Sequence, residues 1–172
     1  IYERRLAALE RPSIKDEVVE LIENVLDSLI EDYCPEKEYP ENWNLTSFCD
    51  ELRIVYLFNL KFTDEDIPKL TRESLKTRVL DMVMTIYRQK EQAYGEEIMR
   101  QLERYAVLST IDRFWRDHLA EMDELRTGIG LRAYHGGMGK PIDIYKKEAF
   151  SIFEKMIGAI DKEAVGLVYK LQ

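Results

Sequence analysis

Residues 107–134 have the sequence VLSTIDRFWRDHLAEMDELRTGIGLRAY, and residues 141–157 have the sequence PIDIYKKEAFSIFEKMI. Apolar residues recur in both stretches at intervals of three and four, the spacing of one face of an α-helix. The pattern predicts a long helix over residues 96–129 and a second over residues 141–171. Because only a short connection joins them, the two helices should pack antiparallel as a hairpin, roughly 45 Å long at 1.5 Å per residue.

The predicted contact stripe of this hairpin is apolar on both helices. On the first helix it contains Leu108, Ile111, Trp115, Leu119, Met122, Leu125 and Ile129. On the second it contains Ile142, Tyr145, Ala149, Ile152, Phe153, Met156, Ile160, Ala164, Leu167 and Leu171. At helical spacing, large side chains are more often core than the lining of a ligand site. We therefore expect a core position for Trp115, Met122, Phe150, Phe153 and Met156.

The rest of the chain is also predicted to be helical. Its helices are expected at residues 1–10, 14–34, about 46–58 and 72–94. Pro12 ends the first of them, Thr46 or Ser47 caps the third, and Thr71 caps the fourth. Gly95 marks a bend before the hairpin. The fold class is thus all-α: a long antiparallel hairpin packed with a helix end, plus a small helical lobe.

Composition argues against several classes of function. The chain has 172 residues and a formal net charge of −8, whereas a protein that binds nucleic acid on its own is usually basic. Its cysteines, Cys34 and Cys49, and its histidines, His118 and His135, suggest neither a disulfide framework nor a metal site. No apolar run reaches the roughly 20 residues of a membrane span. No signal peptide is visible, and the start without methionine suggests a fragment or a processed product.

A phosphate-binding loop is not supported by the sequence GGMGK at residues 136–140. That loop requires the pattern G-x-x-x-x-G-K followed by Ser or Thr, between a strand and a helix. Tyr134 stands at the position of the first glycine and Pro141 at that of the Ser or Thr. We therefore expect no nucleotide site here.

A catalytic histidine is the other enzymatic hypothesis. His118 lies on the first hairpin helix with Asp112, Asp117 and Glu121 close in sequence. No nucleophile and no pocket-forming loop accompany it. A structural histidine packed against the neighbouring helix is the favoured interpretation.

The connection at about residues 129–141 is longer than two helices need, which is commonly two to five residues. It carries the large side chains Leu131, Tyr134 and Met138 among glycines, and Arg132, His135 and Lys140 give it positive charge. From the residues alone, two interpretations stay open. The connection is either a flexible turn or a contact loop held away from the body of the protein.

The two quoted stretches closely resemble the SecA family, the ATP-driven motors of bacterial and chloroplast protein export. The family pattern ID-x-x-W-x-x-HL-x-x-MD-x-L-R-x-GI-x-LR-x-Y, followed by P-x-x-x-YK-x-E-(A/S)-F, is matched throughout. The matching residues are Asp112, Trp115, His118, Leu119, Met122, Asp123, Leu125, Arg126, Gly128, Ile129, Leu131, Arg132 and Tyr134, then Tyr145, Lys146, Glu148, Ala149 and Phe150. The resemblance covers the whole chain, strongly over residues 96–172 and weakly over residues 14–70.

The resemblance implies a division of the chain. Residues 1–13 would be the end of a long scaffold helix, residues 14–95 the helical wing domain and its junctions, and residues 96–172 the helical scaffold domain. Residues 98–171 would form the two-helix finger, with its tip loop at about 129–141. By the same resemblance, the tip that contacts polypeptide consists of Leu131, Arg132, Ala133, Tyr134 and His135. Ala133 stands where glycine is common, and the stretch between Tyr134 and Pro141 is slightly longer than the family pattern.

The resemblance also implies partners and a location. The partners would be the SecY channel complex, unfolded preprotein, the motor and preprotein-binding domains of the same parent chain and, optionally, a second copy. The chain would be cytoplasmic and peripheral at the inner membrane, or stromal and thylakoid-associated in a chloroplast. ATP and Mg²⁺ would bind in motor domains that this chain lacks, so it would need no cofactor and would not itself be an enzyme. The alternatives are a free-standing coiled-coil adaptor and, more remotely, an enzyme that uses His118.

Overall fold

The computed structural model describes residues 1–134 and 140–172, without the side chain of Ala133. Within these residues there are α-helices and 3₁₀ turns and no strand, which confirms the predicted all-α class. The helices are α1 (Tyr2–Glu10), α2 (Lys15–Tyr33), α3 (Leu45–Tyr56), α4 (Arg72–Tyr94), α5 (Glu96–Tyr134) and α6 (Pro141–Lys170). The 3₁₀ turns lie at Pro40–Asn42 and Ile67–Lys69. Nowhere in the described part of the chain is a helix both long and apolar enough to cross a bilayer.

Helices α5 and α6 form the predicted antiparallel hairpin. Their pairing is marked at two levels by ion pairs, Arg113 with Glu163 at 2.9 Å and Arg132 with Glu148 at 3.2 Å. The inner face of α5 differs from the predicted stripe at its centre. Its buried or half-buried members are Val107, Ile111, Phe114, His118, Met122, Leu125 and Ile129.

The prediction was therefore wrong for Trp115 and Leu119, which are exposed and sit one position beyond Phe114 and His118. Both series are spaced by three and four residues, so periodicity alone cannot choose between them. Packing against α6 decides which of the two sets of residues is buried. There the His118 ring lies 5.9 Å from the Phe153 ring in an edge-on arrangement.

Helix α5 also extends beyond its predicted end. Residues 129–134, expected to begin the tip loop, are helical up to Tyr134, with Gly128 and Gly130 inside the helix. Glycine weakens a helix by about 1 kcal/mol relative to alanine but does not forbid it. Burial of Ile129 and the pairing of Arg132 with Glu148 supply contacts that support this last segment.

The lobe formed by α2, α3 and α4 shares one continuous core with the base of the hairpin. Tyr56 of α3 and Tyr169 of α6 meet edge to face, with ring centroids 5.2 Å apart. The Tyr56 hydroxyl donates to the carbonyl of Ile22, and the Tyr169 hydroxyl donates to that of Val83, each at 2.7 Å. The lobe therefore holds the base of the hairpin by apolar burial and by directed hydrogen bonds.

The helix boundaries of the lobe follow local capping chemistry. Thr71 caps α4 as predicted, in a reciprocal capping box with Ser74. The cap of α3 is Asn44 instead of Thr46 or Ser47, since its side chain accepts a hydrogen bond from the backbone of Ser47 at 3.2 Å. Asparagine is as good a helix cap as serine, which explains the shift.

Helix α1 lies antiparallel to α5, against both hairpin helices. Arg5 pairs with Asp112 of α5 at 2.7 Å, and Arg4 pairs with Asp161 of α6 at 2.5 Å. Further along α5 toward its start, Arg104 donates to the carbonyl of Arg11 at 2.8 Å. These contacts fix the direction of α1: moving from Arg11 back to Tyr2 leads from the base of the hairpin toward its far end.

Candidate functional site

The predicted tip residues fall at the far end of the hairpin. Leu131 and Tyr134 are 60% and 87% exposed, and their spacing of three places them on one side of α5. Ala133 has a helical backbone, and His135 lies outside the described residues. Arg132 reaches across the hairpin to Glu148, so its charge is partly balanced. The described part of the tip thus presents a leucine and a tyrosine, which offer apolar area together with one hydroxyl group.

A second exposed surface lies partway along the hairpin. Trp115 and Leu119 project from α5, and Phe150 and Phe153 project from α6. We call these four residues the aromatic ridge. The core position predicted for Trp115, Phe150 and Phe153 was wrong, since Phe150 is 64% exposed and the other two are more than one-third exposed. Met156 is buried as expected, and Met122 is half-buried.

His118 lies at the inner edge of the aromatic ridge and is buried in the hairpin seam. Its ring lies 5.3 Å from that of Trp115 and 5.9 Å from that of Phe153. Among the described residues, its Nδ1 atom has no hydrogen-bond partner. Burial between two aromatic rings agrees with the packing role expected for His118.

A buried polar cluster, missed from sequence, lies at the corner between α4 and α5. We call it the corner cluster; its members are Lys15, Tyr87, Glu91, Arg100 and Glu103. The Tyr87 hydroxyl donates to Glu103, Arg100 pairs with Glu91, and Lys15 of α2 reaches Glu91 at 2.8 Å. Arg100 Nε also lies 3.1 Å from Glu103 Oε2. The cluster therefore joins three helices through two positive and two negative groups.

Burial changes the pKa values of the carboxyl groups in this cluster. Glu103 is completely buried, and that burial raises the pKa of its carboxyl group although Tyr87 and Arg100 act to lower it. Burial also acts to raise the pKa of Glu91, but hydrogen bonds and ion pairs with Lys15 and Arg100 outweigh it and lower the pKa overall. A sequence signal for the cluster existed: Met99, Glu103, Ala106 and Thr110 share one buried face of α5, and only Glu103 among them carries a charge.

Surface grooves occur at several places on the described part of the chain. One groove, with a volume of about 550 Å³, includes Arg100 of the corner cluster in its lining and is also lined by Glu96 and Arg104. In residues 1–134 and 140–172, no three side chains among His, Cys, Asp and Glu are grouped as metal ligands. Of the GGMGK segment, Lys140 is described and forms the N-cap of α6, while residues 136–139 lie outside the described residues.

Comparison with known proteins identifies relatives of this chain. The family model for the SecA wing and scaffold domain matches residues 1–172. The chain is 34% identical to protein translocase subunit SecA of Syntrophobacter fumaroxidans, over 100% of this chain and 20% of that relative. It is 34% identical to the SecA subunit of Solibacter usitatus, over 100% of this chain and 17% of the relative. It is 35% identical to the SecA subunit of Carboxydothermus hydrogenoformans, over 99% of this chain and 19% of the relative.

The chain spans about a fifth of the length of these curated relatives. Its match to the family model is complete, and its helical lobe and hairpin share one core in the structure. The chain therefore belongs to the SecA wing and scaffold domain family.

Proposed function

We propose that this chain is the wing and scaffold part of a preprotein translocase motor, and that its hairpin transmits ATP-driven motion to a translocating polypeptide. Nucleotide would bind in other domains of a longer protein, so this part carries force and performs no catalysis of its own. Its partners are those motor and preprotein-binding domains, the SecY channel complex and unfolded preprotein. This role places the protein in the cytoplasm at the inner face of the membrane.

The observation that carries the proposal is the shape of the hairpin. Helix α5 has 39 residues, so it spans roughly 58 Å. Its first half is fixed in the shared core by Met99, Ala106 and Ile111, whereas Tyr134 at its far end is exposed. A stiff pair of helices with a fixed base and an exposed aromatic end can carry displacement from the lobe to a distant contact.

The aromatic ridge supports the first half of the proposal, that this chain is part of a longer protein. Arg5 faces Asp112 and Arg4 faces Asp161, so residues preceding Ile1, continuing α1, would run past Trp115 on α5 and Phe153 on α6. Such an extension covers the aromatic ridge and removes its apolar area from water. The ridge is therefore a docking surface for the remainder of the scaffold helix.

The chemistry of the tip suits a substrate of varied sequence. Tyrosine combines an apolar ring with a hydroxyl group, and rings pack on many kinds of side chain. Leu131 adds apolar area on the same side of the helix. An unfolded polypeptide offers side chains of every class, so such a contact favours engagement without strong sequence preference.

The decisive experiment compares transport with ATP hydrolysis in the full-length translocase. Tyr134→Ala is expected to reduce preprotein transport severalfold while the ATPase rate changes little. The matched control is Tyr105→Ala, because Tyr105 is also an exposed tyrosine of α5 but lies near the base of the hairpin. Equal loss of transport and ATPase activity in Tyr134→Ala, or equal loss of transport in both variants, would show that the tip is not the working contact.

Disulfide cross-linking tests the contact directly. A Tyr134→Cys variant should cross-link to a cysteine-bearing preprotein stalled in the channel, and the yield should depend on ATP. The absence of cross-links, with positive controls at the channel surface, would leave the scaffold role without a substrate contact at the tip.

A further inference from the structure

The side chains of the corner cluster contact each other across the junction between α4 and α5. Gly95 separates the two helices, with φ +85° and ψ 157°, a backbone conformation that residues with side chains rarely adopt. Glu91 and Tyr87 lie four and eight residues before Gly95, and Arg100 and Glu103 lie five and eight residues after it. The contacts between them therefore cross the inside of the corner, one or two helical turns from its vertex.

Directed contacts are needed there because apolar packing fixes an angle only loosely. The hydrophobic effect is not directional, whereas hydrogen bonds and paired charges weaken when their geometry changes. Tyr87 to Glu103 and Arg100 to Glu91 are two such links between α4 and α5, and Lys15 ties Glu91 to α2. Removal of Arg100 leaves the completely buried Glu103 without its charged partner.

The C-terminal end of α6, which is the other helix at the base of the hairpin, contacts the same part of α4. The ammonium group of Lys90 donates to the carbonyl of Val168 in the last turn of α6, at 2.7 Å, and to that of Leu171, the C-cap of α6. The Tyr169 hydroxyl donates to the carbonyl of Val83. Residues 83–91 of α4 thus contact the base of both hairpin helices.

Small angular errors at this base become large displacements at the tip. Over the roughly 58 Å length of α5, a rotation of about 5° at the corner moves the far end by about 5 Å. A displacement of that size exceeds the length of a hydrogen bond and separates a side chain from its contact. A contact that fixes the angle at the corner therefore has a large effect on the position of the tip.

We propose that the corner cluster is a positioning device: Lys15, Tyr87, Glu91, Arg100 and Glu103 set the angle of the hairpin to the helical lobe. The apolar core keeps the two parts together, and the cluster selects one angle among those that the core allows. Arg100 is its central member because its guanidinium group contacts both carboxylates and the Tyr87 hydroxyl.

The test measures the distance between lobe and hairpin in the full chain. Spin labels are placed at the exposed positions Thr46 and Glu124 by substitution with cysteine, after replacement of Cys34 and Cys49. Electron–electron double resonance then gives the distance distribution. Arg100→Met should broaden or shift it by several ångströms. Lys15→Met, at the half-exposed rim of the cluster, should broaden it less and provides a milder variant that keeps the fold.

The matched control is Arg113→Met, which removes an ion pair within the hairpin away from the corner. It should leave the distance distribution unchanged, and Arg100→Lys should restore part of the wild-type distribution because it keeps the charge. Equal distributions for the wild type, Arg100→Met and Lys15→Met would overturn the inference. Equal broadening in the Arg113→Met control would overturn it as well.

A transport assay of the same variants rests on the proposed function and separates the two ideas. If the lobe-to-hairpin distances change and transport falls, both the positioning role and the proposed function are supported. Altered distances with normal transport support the positioning role of the corner cluster and contradict the role proposed for the tip. Unaltered distances contradict the positioning role whatever the transport rate.

Discussion

His118 shows how one polar residue can occupy a core position between aromatic rings. Its ring fills the hairpin seam between Trp115 and Phe153, while Nδ1 has no hydrogen-bond partner among the described residues. A buried polar atom without a partner typically costs about 1–3 kcal/mol. The aromatic contacts and the removal of the ring from water offset that cost.

The variant His118→Phe should therefore stabilise the protein, by about 1 kcal/mol. Phenylalanine keeps an aromatic ring against Trp115 and Phe153 and removes the nitrogen that has no partner. Chemical denaturation of both proteins measures the change in free energy of unfolding. A loss of stability would indicate that His118 makes a polar contact that the variant abolishes, and His118→Leu would show how much the ring itself contributes.

Cys34 illustrates the effect of burial on a reactive group. It is completely enclosed at the end of α2, and burial raises the pKa of its thiol from 9.0 to about 11. The folded state therefore favours the neutral thiol. Its contribution to stability is fully present below pH 9 and is lost as the pH rises through about 11.

At pH 8, Cys34 should react with a thiol reagent only at the rate at which the protein opens. The measurement uses a Cys49→Ser variant, and a Cys34→Ala variant with its half-buried Cys49 serves as the faster-reacting control. Similar rates for the two thiols would contradict the burial of Cys34.

At the scale of helices, one glycine separates two helices whereas others lie within helices. Gly95 has a positive φ and ends α4, whereas Gly128, Gly130 and Gly158 lie inside helices. A methyl group added at Gly95 or Gly158 meets no described atom within 4 Å. The effect of alanine at either position is therefore a matter of backbone conformation, not of steric fit.

Two matched variants separate these roles. Gly95→Ala should destabilise the protein by about 1–3 kcal/mol, because alanine is strained at this φ and ψ. Gly158→Ala should stabilise it by up to about 1 kcal/mol, because alanine is the better helix former. Thermal and urea unfolding of both variants provide the measurement. Equal effects of the same sign would mean that the break after α4 does not depend on the conformation of glycine.

At the scale of the whole molecule, the lobe and the hairpin base are one body. Their buried residues form a continuous cluster that runs from Val18 and Phe48 to Ile160 and Tyr169. In the described part of the chain, the ion pair between Arg132 and Glu148 joins the outer parts of the two hairpin helices, and the aromatic ridge is exposed. Buried residues of the predicted segments 14–95 and 96–172 thus belong to one core, and the division into wing and scaffold stays a prediction.

If the rest of a scaffold helix covers the aromatic ridge, a ridge residue should be protected in the longer protein. Leu119→Cys should react with maleimide more slowly in the full-length translocase than in the 172-residue chain. Asp117→Cys, about 200° away around α5, should show a smaller difference. Equal protection at both positions would indicate general shielding and not a helix docked on the ridge.

The sequence by itself determined the all-α class, the long hairpin, the break at Gly95 and the membership in the SecA wing and scaffold family. Helical periodicity, glycine and a distinctive motif are local properties, so one sequence suffices to detect them. The positions of Leu131, Arg132 and Tyr134 near the far end of the hairpin also follow from order along the chain. Their contact with a polypeptide remains a prediction.

Only the tertiary structure decided which of two neighbouring stripes faces α6, how far α5 continues and where the corner cluster forms. Phe114 and Trp115, or His118 and Leu119, differ by one position, and the selection depends on contacts with Phe153 on another helix. The corner cluster joins Lys15 to Glu91 across 76 residues of chain. Such choices depend on pairs of residues distant in sequence, whose contacts no local pattern records.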